Sequence, residues 1–289
     1  MSADEFVAHR SLLFTVAYEM LGSAADAEDV VQETWLRWAA LADAARAEIR
    51  DRRAYLVRIV TRQALNRLRT LARRREEYVG EWLPEPLLTS PDVAEDVELA
   101  ESVSYAMLTV LETLGPTERA VFVLREVFDT PYEEVAEAIG KTPAAVRQIA
   151  HRAREHVAAR RPRVRVSRAE QDAVVERFLA AVRGGDLQGL LDVLAPDVVL
   201  VADGGGLAAA APRPVTSVRK VATLLAAWAK QSGDFQVHPM RANGGPAMRF
   251  EQDGALNTVA CLVIEDGRIS RIFAVRNPHK LTRLNAELQ

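Results

Sequence analysis

The sequence predicts a multidomain protein with two all-α domains, the second containing a helix-turn-helix, followed by one α+β domain. Residues 4–78 and 117–157 carry apolar residues at helical spacing, and arginine density falls near residue 167, where glycines appear. After that point, helical segments precede segments typical of strands. The length of 289 residues suits two domains or three small ones.

Charge is strongly segmented, although the formal net charge is only −3. Residues 46–75 contain 11 arginines against two acids, and residues 141–168 contain nine basic residues against one acid. Acidic residues dominate positions 76–140, and positions 169–289 are electrically balanced. Two compact basic blocks are expected of a protein that binds phosphate groups, although a solvated helix face can also be basic.

Composition excludes several classes of protein. Cys261 is the only cysteine, so an intramolecular disulfide is impossible and a reducing, cytoplasmic location is expected. There is no run of about 18 apolar residues and no signal-peptide pattern, so no membrane partner is expected. The sequence lacks metal-ligand spacing and nucleotide-binding glycine motifs, so we predict no metal and no cofactor.

The first basic block lies on a predicted helix over about 51–78, preceded by helices over 4–21 and 24–40. Ser23 stands three residues before Asp26, which is the spacing of a helix start. The third helix has an apolar face and, opposite it, a polar stripe that either follows a phosphate backbone or is simply solvated. The stripe consists of Arg58, Arg62, Asn66, Arg69 and Arg73.

The second basic block lies on a predicted helix-turn-helix that follows a helix over 117–128. Thr130-Pro131 with Glu133, and Thr142-Pro143, are the predicted helix starts, with a turn at Gly140 between them. The second helix has one apolar arc, and its polar residues suit base edges in the major groove. These polar residues are Arg147, Gln148, His151, Arg152 and Arg154. A plain helical hairpin with a basic tail is the alternative.

Three segments in this order resemble the bacterial extracytoplasmic-function (ECF) sigma factors of the sigma-70 family. They are DAEDVVQETWLRW (26–38), RAYLVRIVTRQALNRLR (53–69), and residues 114–157, which start LGPTERAV and end HRAREHV. The resemblance implies a DNA-binding protein that binds core RNA polymerase, recognises promoter DNA and initiates transcription. It implies domains at 1–75, for polymerase and the −10 element, and 101–162, for the −35 element, with a linker at 76–100.

The same resemblance implies a role for each set of polar residues. The polymerase-binding residues are Asp26, Asp29, Gln32 and Glu33. The −10 element is bound by Arg58, Arg62, Asn66 and Arg69. The −35 element is read by Arg147, Gln148, His151, Arg152 and Arg154.

The linker and the C-terminal part resemble one sigma subgroup in which a SnoaL-like domain follows the −35 domain. Residues 80–92 contain three prolines and no helical period, which predicts an extended segment. The WLPEP run of the linker carries the resemblance, together with VLVADGGG (199–206) and NPHKL (277–281).

This second resemblance implies a cone-shaped regulatory domain at 168–289, with a pocket for a small molecule or a contact for a protein regulator. Candidate residues of the linker and pocket are Trp82, Pro84, Asp203 and Gly204. Local packing of Trp82 and turn capping by Asp203 are the alternatives.

The C-terminal domain is predicted to begin with helices and to end in an antiparallel sheet. Ser167 and Glu170 form a capping box, and Asp266-Gly267 is a hairpin signal. Predicted helices cover 167–184, 186–194 and 217–231, and predicted strands cover 198–202, 235–242, 247–252, 256–265 and 268–275.

Two other functions compete with a sigma factor. One is a ligand-sensing helix-turn-helix regulator that does not bind polymerase. The other is a cyclase-like enzyme with a DNA-binding appendage, in which Asp203, His238 or Asp197 would be the acid or base. We expect no enzymatic activity, because no candidate has a placed partner.

Overall fold

A computed structural model describes residues 2–89, 104–159, 166–231 and 235–288 of the chain. The chain divides into two compact units. Among the described residues, the first contains 2–76 and 107–159, and the second contains 77–89, 104–106, 166–231 and 235–288. The start of the linker therefore belongs to the same unit as the C-terminal domain. None of the helices in the described ranges is long and apolar enough to cross a membrane.

The first unit begins with α1 (Ser2–Val7), α2 (Arg10–Leu21), α3 (Ala24–Ala39), α4 (Asp43–Ala47) and α5 (Arg52–Glu76). The helix predicted over 4–21 is therefore divided near His9. Gly22 ends α2 in the left-handed conformation, and the Ser23 side chain accepts from the backbone N–H of Asp26 at 3.2 Å, as predicted. The apolar face of α5 is buried, which confirms the predicted separation of its two faces.

The unit continues with Met107–Leu111 of α6 (Tyr105–Leu111), followed by α7 (Pro116–Phe122), a π-helical turn (Val123–Val127), α8 (Tyr132–Ile139) and α9 (Pro143–Ala158). Helices α8 and α9, joined at Gly140, form the predicted helix-turn-helix. The predicted cap at Thr130 is wrong. Thr130 is buried, and its N–H closes the π-helical segment by donating to Leu124 O at 2.9 Å, so the cap position passes to Pro131.

One buried arginine ties the helices of the first unit together. Arg119 of α7 is 1% exposed, and its Nη1 lies 2.6 Å from Glu112 Oε1. Its Nε donates to the backbone oxygen of Glu19, at the end of α2, at 2.9 Å. The contact joins the helices before the linker to those after it, because a buried guanidinium needs both a charge partner and hydrogen-bond acceptors.

The second unit is an α+β domain that also includes residues 77–89. Its elements are α10 (Arg168–Gly184), α11 (Leu187–Val193), β1 (Leu194–Asp203), β2 (Val215–Thr216), α12 (Val218–Gln231), β3 (Phe235–Ala242), β4 (Gly245–Gln252), β5 (Ala255–Glu265), β6 (Arg268–Val275) and α13 (Pro278–Glu287). The capping box of Ser167 and Glu170 and the turn at Asp266-Gly267 are present as predicted. Helix α13, which Asn277 caps, has no counterpart among the predicted elements.

The sheet has the strand order β2-β1-β6-β5-β4-β3. Strands β3 to β6 form an antiparallel meander, but β1 and β6 are parallel, with Leu200 opposite Ile272. The prediction of a purely antiparallel sheet is therefore wrong at this pair. The reason is topological: α12 leads the chain to the far edge, and three hairpins return it beside β1 in the same direction as β1.

The two faces of this sheet pack against different parts of the chain. One face packs under α10, α11 and α12, with Leu262 and Ile272 in that core. The opposite face carries Cys261 and Phe273 and packs with Leu83 of the linker and with α13. Alternate residues of β5 and β6 thus enter separate cores. The architecture confirms the predicted fold class, with helical domains followed by an α+β domain.

Candidate nucleic-acid interface and linker-binding site

Helix α9 has an exposed polar face and a buried apolar face. Its apolar positions from Val146 to Val157 are buried, as the helical period predicts. The predicted −35 residues Arg147, Gln148, His151, Arg152 and Arg154 are all exposed. Their ion pairs are long or solvated: Arg152 lies 3.8 Å from Glu118 and Arg154 lies 3.2 Å from Glu126. Such exposed pairs are weak, so these arginines can leave their carboxylate partners and bind phosphates or bases of DNA instead.

The start of α9 is well defined. The Thr142 side chain accepts from the N–H of Ala145 at 3.2 Å, and Pro143 occupies the first turn. Arg147 and Gln148 follow in the next turn, in the half of the helix that reads bases in this motif. An arginine and a glutamine offer bidentate hydrogen bonds to guanine and adenine, respectively.

The arginine stripe of α5 is partly occupied by α8. Arg58 pairs with Glu137, and Arg62 donates to the backbone oxygens of Glu137 at 2.8 Å and Ala138 at 3.1 Å. Asn66 and Arg69 are exposed. The stripe therefore has one end bound to the helix-turn-helix and another facing solvent.

Helix α3 carries the predicted polymerase-binding residues. Arg67 lies 3.0 Å from Asp26 and 2.5 Å from Asp29, so one arginine links the two carboxylates. Gln32 and Glu33, a turn further on, are exposed. The four side chains form one surface of carboxylates and an amide on α3. Arg67 holds the two carboxylates nearest the start of the helix, Asp26 and Asp29.

Asp203, at the end of β1, is completely buried and accepts from three donors. The Tyr78 hydroxyl donates to its Oδ1 at 2.6 Å, and the Leu83 N–H donates to its Oδ2 at 2.9 Å. Lys280 Nζ lies 2.7 Å from the same Oδ2 and donates to Leu83 O at 2.5 Å. A buried carboxylate is thus paired with a buried ammonium, and both hold the linker backbone.

Aromatic side chains of the linker cover this ion pair. Lys280 Nζ lies 3.1 Å from the centre of the Trp82 ring, which meets the Tyr78 ring edge to face. Asn277 Nδ2 donates to the Tyr78 hydroxyl at 2.8 Å. Burial, followed by the hydrogen bond to Asp203, raises the pKa of Tyr78 well above its usual value. Trp82 thus contributes a cation–π contact.

A second set of contacts holds the end of the segment. Leu87 and Asn243 exchange hydrogen bonds, with Leu87 N–H donating to Asn243 Oδ1 at 3.1 Å and Asn243 N–H to Leu87 O at 2.9 Å. Thr89 N–H donates to Arg241 O at 3.0 Å. Pro84 accepts from the Tyr105 hydroxyl at 2.6 Å. As predicted, residues 80–89 contain no helix; residues 90–92 lie outside the described residues.

The glycines after Asp203 allow close packing of the loop. A Cβ at Gly204 would collide with the backbone oxygen of Ala208. Gly205 has a positive φ of 60°, and a Cβ there would lie 2.9 Å from the Tyr78 hydroxyl. The loop can therefore approach the linker only because these positions lack side chains. Among the four candidate regulatory residues, Trp82 and Asp203 thus meet at Lys280, while Gly204 shapes the adjacent loop.

The other candidates for acid or base chemistry lie elsewhere. His238 Nε2 lies 3.3 Å from Gln236 Oε1 on β3, and Asp197 is exposed on β1. Burial raises the pKa of the Cys261 thiol well above its usual range. The structure therefore does not bring Asp203, His238 and Asp197 into one catalytic cluster.

Sequence reasoning missed Tyr78, Asn243 and Lys280 as parts of the linker site. Lys280 lies in the NPHKL stretch (277–281), which resembles sigma-fused SnoaL-like domains, so a signal for it existed. Tyr78 and Asn243 carried no signal, because their partners lie more than 100 residues away in sequence.

Family models, sequence relatives and a solved structure all match the same family of proteins. The family model for Sigma-70 region 2 matches residues 6–74, and that for Sigma-70, region 4 matches residues 104–157. The chain is 36% identical to ECF RNA polymerase sigma factor SigJ of Mycobacterium tuberculosis, over 98% of this chain and 94% of that protein. It is 35% identical to a probable ECF sigma factor, SigI, of the same species, over 97% and 95% of the two chains. The crystal structure of SigJ matches with a TM-score of 0.77 and 34% identity, covering 97% of this chain and 98% of the other.

Proposed function

Because the chain belongs to the extracytoplasmic-function sigma factors of RNA polymerase, we propose that it binds core RNA polymerase, directs it to promoters and initiates transcription. The observation that carries this proposal is that one chain has three surfaces together. They are the exposed polar face of α9, the arginine stripe of α5 and the acidic surface of α3. The C-terminal domain modulates this activity. The site of action is the cytoplasm, where bacterial DNA and polymerase are found.

The −35 element is read by the exposed residues of α9. Arg147 and Gln148 contact base edges, and Arg152 and Arg154 contact phosphates or further bases. Their exposure and weak ion pairs support this assignment, since these side chains give up only solvent-exposed ion pairs when they meet DNA.

The −10 element is bound by the stripe of α5 after α8 has moved away. Positions −10 and −35 lie 25 base pairs apart, or roughly 85 Å along the duplex at about 3.4 Å per pair. Arg58 and Arg62 contact α8 directly, so the helix-turn-helix cannot reach the −35 element while these bonds persist. Polymerase binding through Asp26, Asp29, Gln32 and Glu33 selects the separated form.

Modulation acts through the linker. Residues 77–89 belong to the C-terminal unit, and their release would add up to roughly 45 Å of chain at about 3.3–3.6 Å per residue. The C-terminal domain thus controls how much linker is available between the two DNA-binding regions. The contacts of Asp203 and Lys280 with Leu83 support this role.

We infer that the C-terminal domain binds rather than catalyses. Asp203 is committed to Tyr78, Leu83 and Lys280, and Asp197 is exposed to water. A general acid or base must come within hydrogen-bond distance of a substrate proton. A fully buried carboxylate whose two oxygens already accept hydrogen bonds does not reach a substrate. The relatives named above are sigma factors, which agrees with this interpretation.

The test is transcription in vitro with core polymerase, the full-length protein and a genomic fragment library, followed by mapping of RNA 5′ ends. We expect discrete start sites that share sequence near −10 and −35. Changing Arg147 and Gln148 together to alanine should abolish initiation at these sites, whereas Arg219→Ala, an exposed arginine of the C-terminal domain, should not. Absence of core binding and of any discrete start would overturn the proposal.

A further inference from the structure

The C-terminal domain contains an apolar cavity distinct from the linker-binding site. Its volume is about 420 Å³, within the range of roughly 300–1,000 Å³ that is typical of small-molecule sites. It lies between α12 and the sheet, and its walls include Phe178, Leu225, Trp228, Met248 and Phe250. Asp203, Tyr78 and Lys280 are not among the lining residues, so the cavity is not explained by linker binding.

The charge in this cavity comes from an arginine. Among the described residues that line it, none is Asp, Glu, His or Cys, and Arg276 is the one cation. Its Nη1 donates to Ala209 O, and its Nη2 donates to Asn257 Oδ1 at 3.0 Å. Its Nε is buried and meets no acceptor within the described part of the chain. Burial lowers the pKa of Arg276, which still leaves a guanidinium charged at neutral pH.

Neither partner of Arg276 is an anion. The carbonyl oxygen of Ala209 and the amide oxygen of Asn257 accept hydrogen bonds but leave the positive charge uncompensated. A carboxylate is the anion whose geometry matches a guanidinium best, so it is the group that would compensate this charge. The apolar walls exclude a ligand that is charged over its whole length, such as a polyphosphate or a dicarboxylate.

We propose that this cavity binds a small monocarboxylic acid with an apolar body, and that the carboxylate pairs with the guanidinium of Arg276, the charged group among the described lining residues. The apolar body occupies the space among Phe178, Leu225, Trp228 and Met248. Leu224 of α12 lines the cavity and is 41% exposed, which places one wall at the protein surface and gives the ligand a route of entry.

The ligand would lie next to the segments that hold the linker. The N–H of Arg276 donates to the backbone oxygen of Asp203 at 2.7 Å, and Asn277, the next residue, bonds Tyr78. Ala209 to Ala211 line the cavity directly after the glycine loop. Binding itself does not depend on transcription, so a failed binding experiment leaves the proposed sigma function intact, and the reverse also holds.

The test is isothermal titration calorimetry of the full-length protein with decanoate and with phenylacetate, using methyl decanoate and inorganic phosphate as comparison ligands. We expect one of the two acids to bind, with the ester at least tenfold weaker and phosphate not bound. Arg276→Leu should weaken binding of the acid at least tenfold, because it removes a charge-assisted hydrogen bond. The matched control Arg271→Leu changes an exposed arginine of β6, the strand that ends just before Arg276, and should leave affinity unchanged.

Two further results decide the proposal. Ala260→Leu adds bulk to the cavity wall and should reduce binding while keeping Arg276, and thermal unfolding of each variant identifies any that is misfolded. Failure of both acids to bind the wild-type protein would overturn the proposal. Equal affinity for acid and ester, or equal binding by Arg276→Leu and wild type, would overturn the assignment of Arg276.

Discussion

Each compact unit contains a buried ion pair, and the two pairs differ in how completely they are satisfied. In the first unit, Arg119 contacts Glu112 and the backbone of Glu19, and its Nη2 has no acceptor among the described residues. In the second unit, Asp203 accepts from Tyr78, Leu83 and Lys280 through both carboxylate oxygens.

The difference suggests which contact the protein can release more easily. Desolvation of a buried charge is offset only when its hydrogen bonds are complete. The Asp203 pair meets that condition, because both carboxylate oxygens accept hydrogen bonds. The Arg119 pair meets it incompletely, and Glu112 keeps 11% of its side chain exposed. At Arg119, the hydrogen bond from Nε to Glu19 O joins the helices before the linker to those after it, whereas both Tyr78 and Leu83 tie the linker to Asp203. We infer that the first connection is released at lower cost than the second.

The largest expected effect is that of Asp203→Asn. The change leaves Lys280 buried without a carboxylate, and removal of one partner from a buried ion pair costs about 3–5 kcal/mol. The free energy of unfolding of the second unit should fall by that amount in urea denaturation. Amide exchange at Leu83 should also accelerate. Asp197→Asn, on the exposed part of the same strand, is the control and should change neither quantity.

This contrast also marks what the sequence can predict. The buried and exposed faces of α9 follow from helical period alone, and the caps at Ser23, Thr142 and Ser167 follow from local spacing. These features involve residues within a few positions of one another. Helical period alone therefore places the predicted −35 residues on the exposed face of α9.

The linker site could not be derived in the same way. Asp203 and Trp82 were candidates, but nothing in their spacing identifies Lys280 as their common partner. The contact between Asp203 and Tyr78 spans 125 positions. The contact between Asp203 and Lys280 depends on β1 lying beside β6 in parallel, which the sequence did not predict. Similarly, the ion pair between Arg58 and Glu137 joins residues 79 positions apart in sequence. Periodicity describes one element at a time and carries no information about which elements meet.

A smaller effect is expected from Arg119→Met, which tests the other half of the comparison. We expect the free energy of unfolding of the first unit to fall by about 3 kcal/mol, the lower limit of the range of about 3–5 kcal/mol for breaking a buried ion pair. The loss is at this limit because the partly exposed carboxylate of Glu112 can be hydrated once Arg119 is removed. Chemical denaturation followed by circular dichroism provides the measurement. Arg37→Met, at an exposed position of α3, is the control. A loss larger than that of Asp203→Asn would reverse the inferred order of release.

The smallest effect is expected from Tyr78→Phe, and its pH dependence identifies the hydroxyl as the cause. The variant loses a hydrogen bond to a carboxylate, which is worth about 1.5 kcal/mol, while the ring contacts with Trp82 and Lys280 remain. The folded-state pKa of Tyr78 is raised above that of the unfolded chain. The contribution of the hydroxyl is therefore complete below about pH 10 and is lost as the pH rises beyond it. The difference in unfolding free energy between wild type and Tyr78→Phe should be constant from about pH 7 to 9 and should shrink above about pH 10. A difference that shrinks already near neutral pH would show that another group, not Tyr78, controls the docking of the linker.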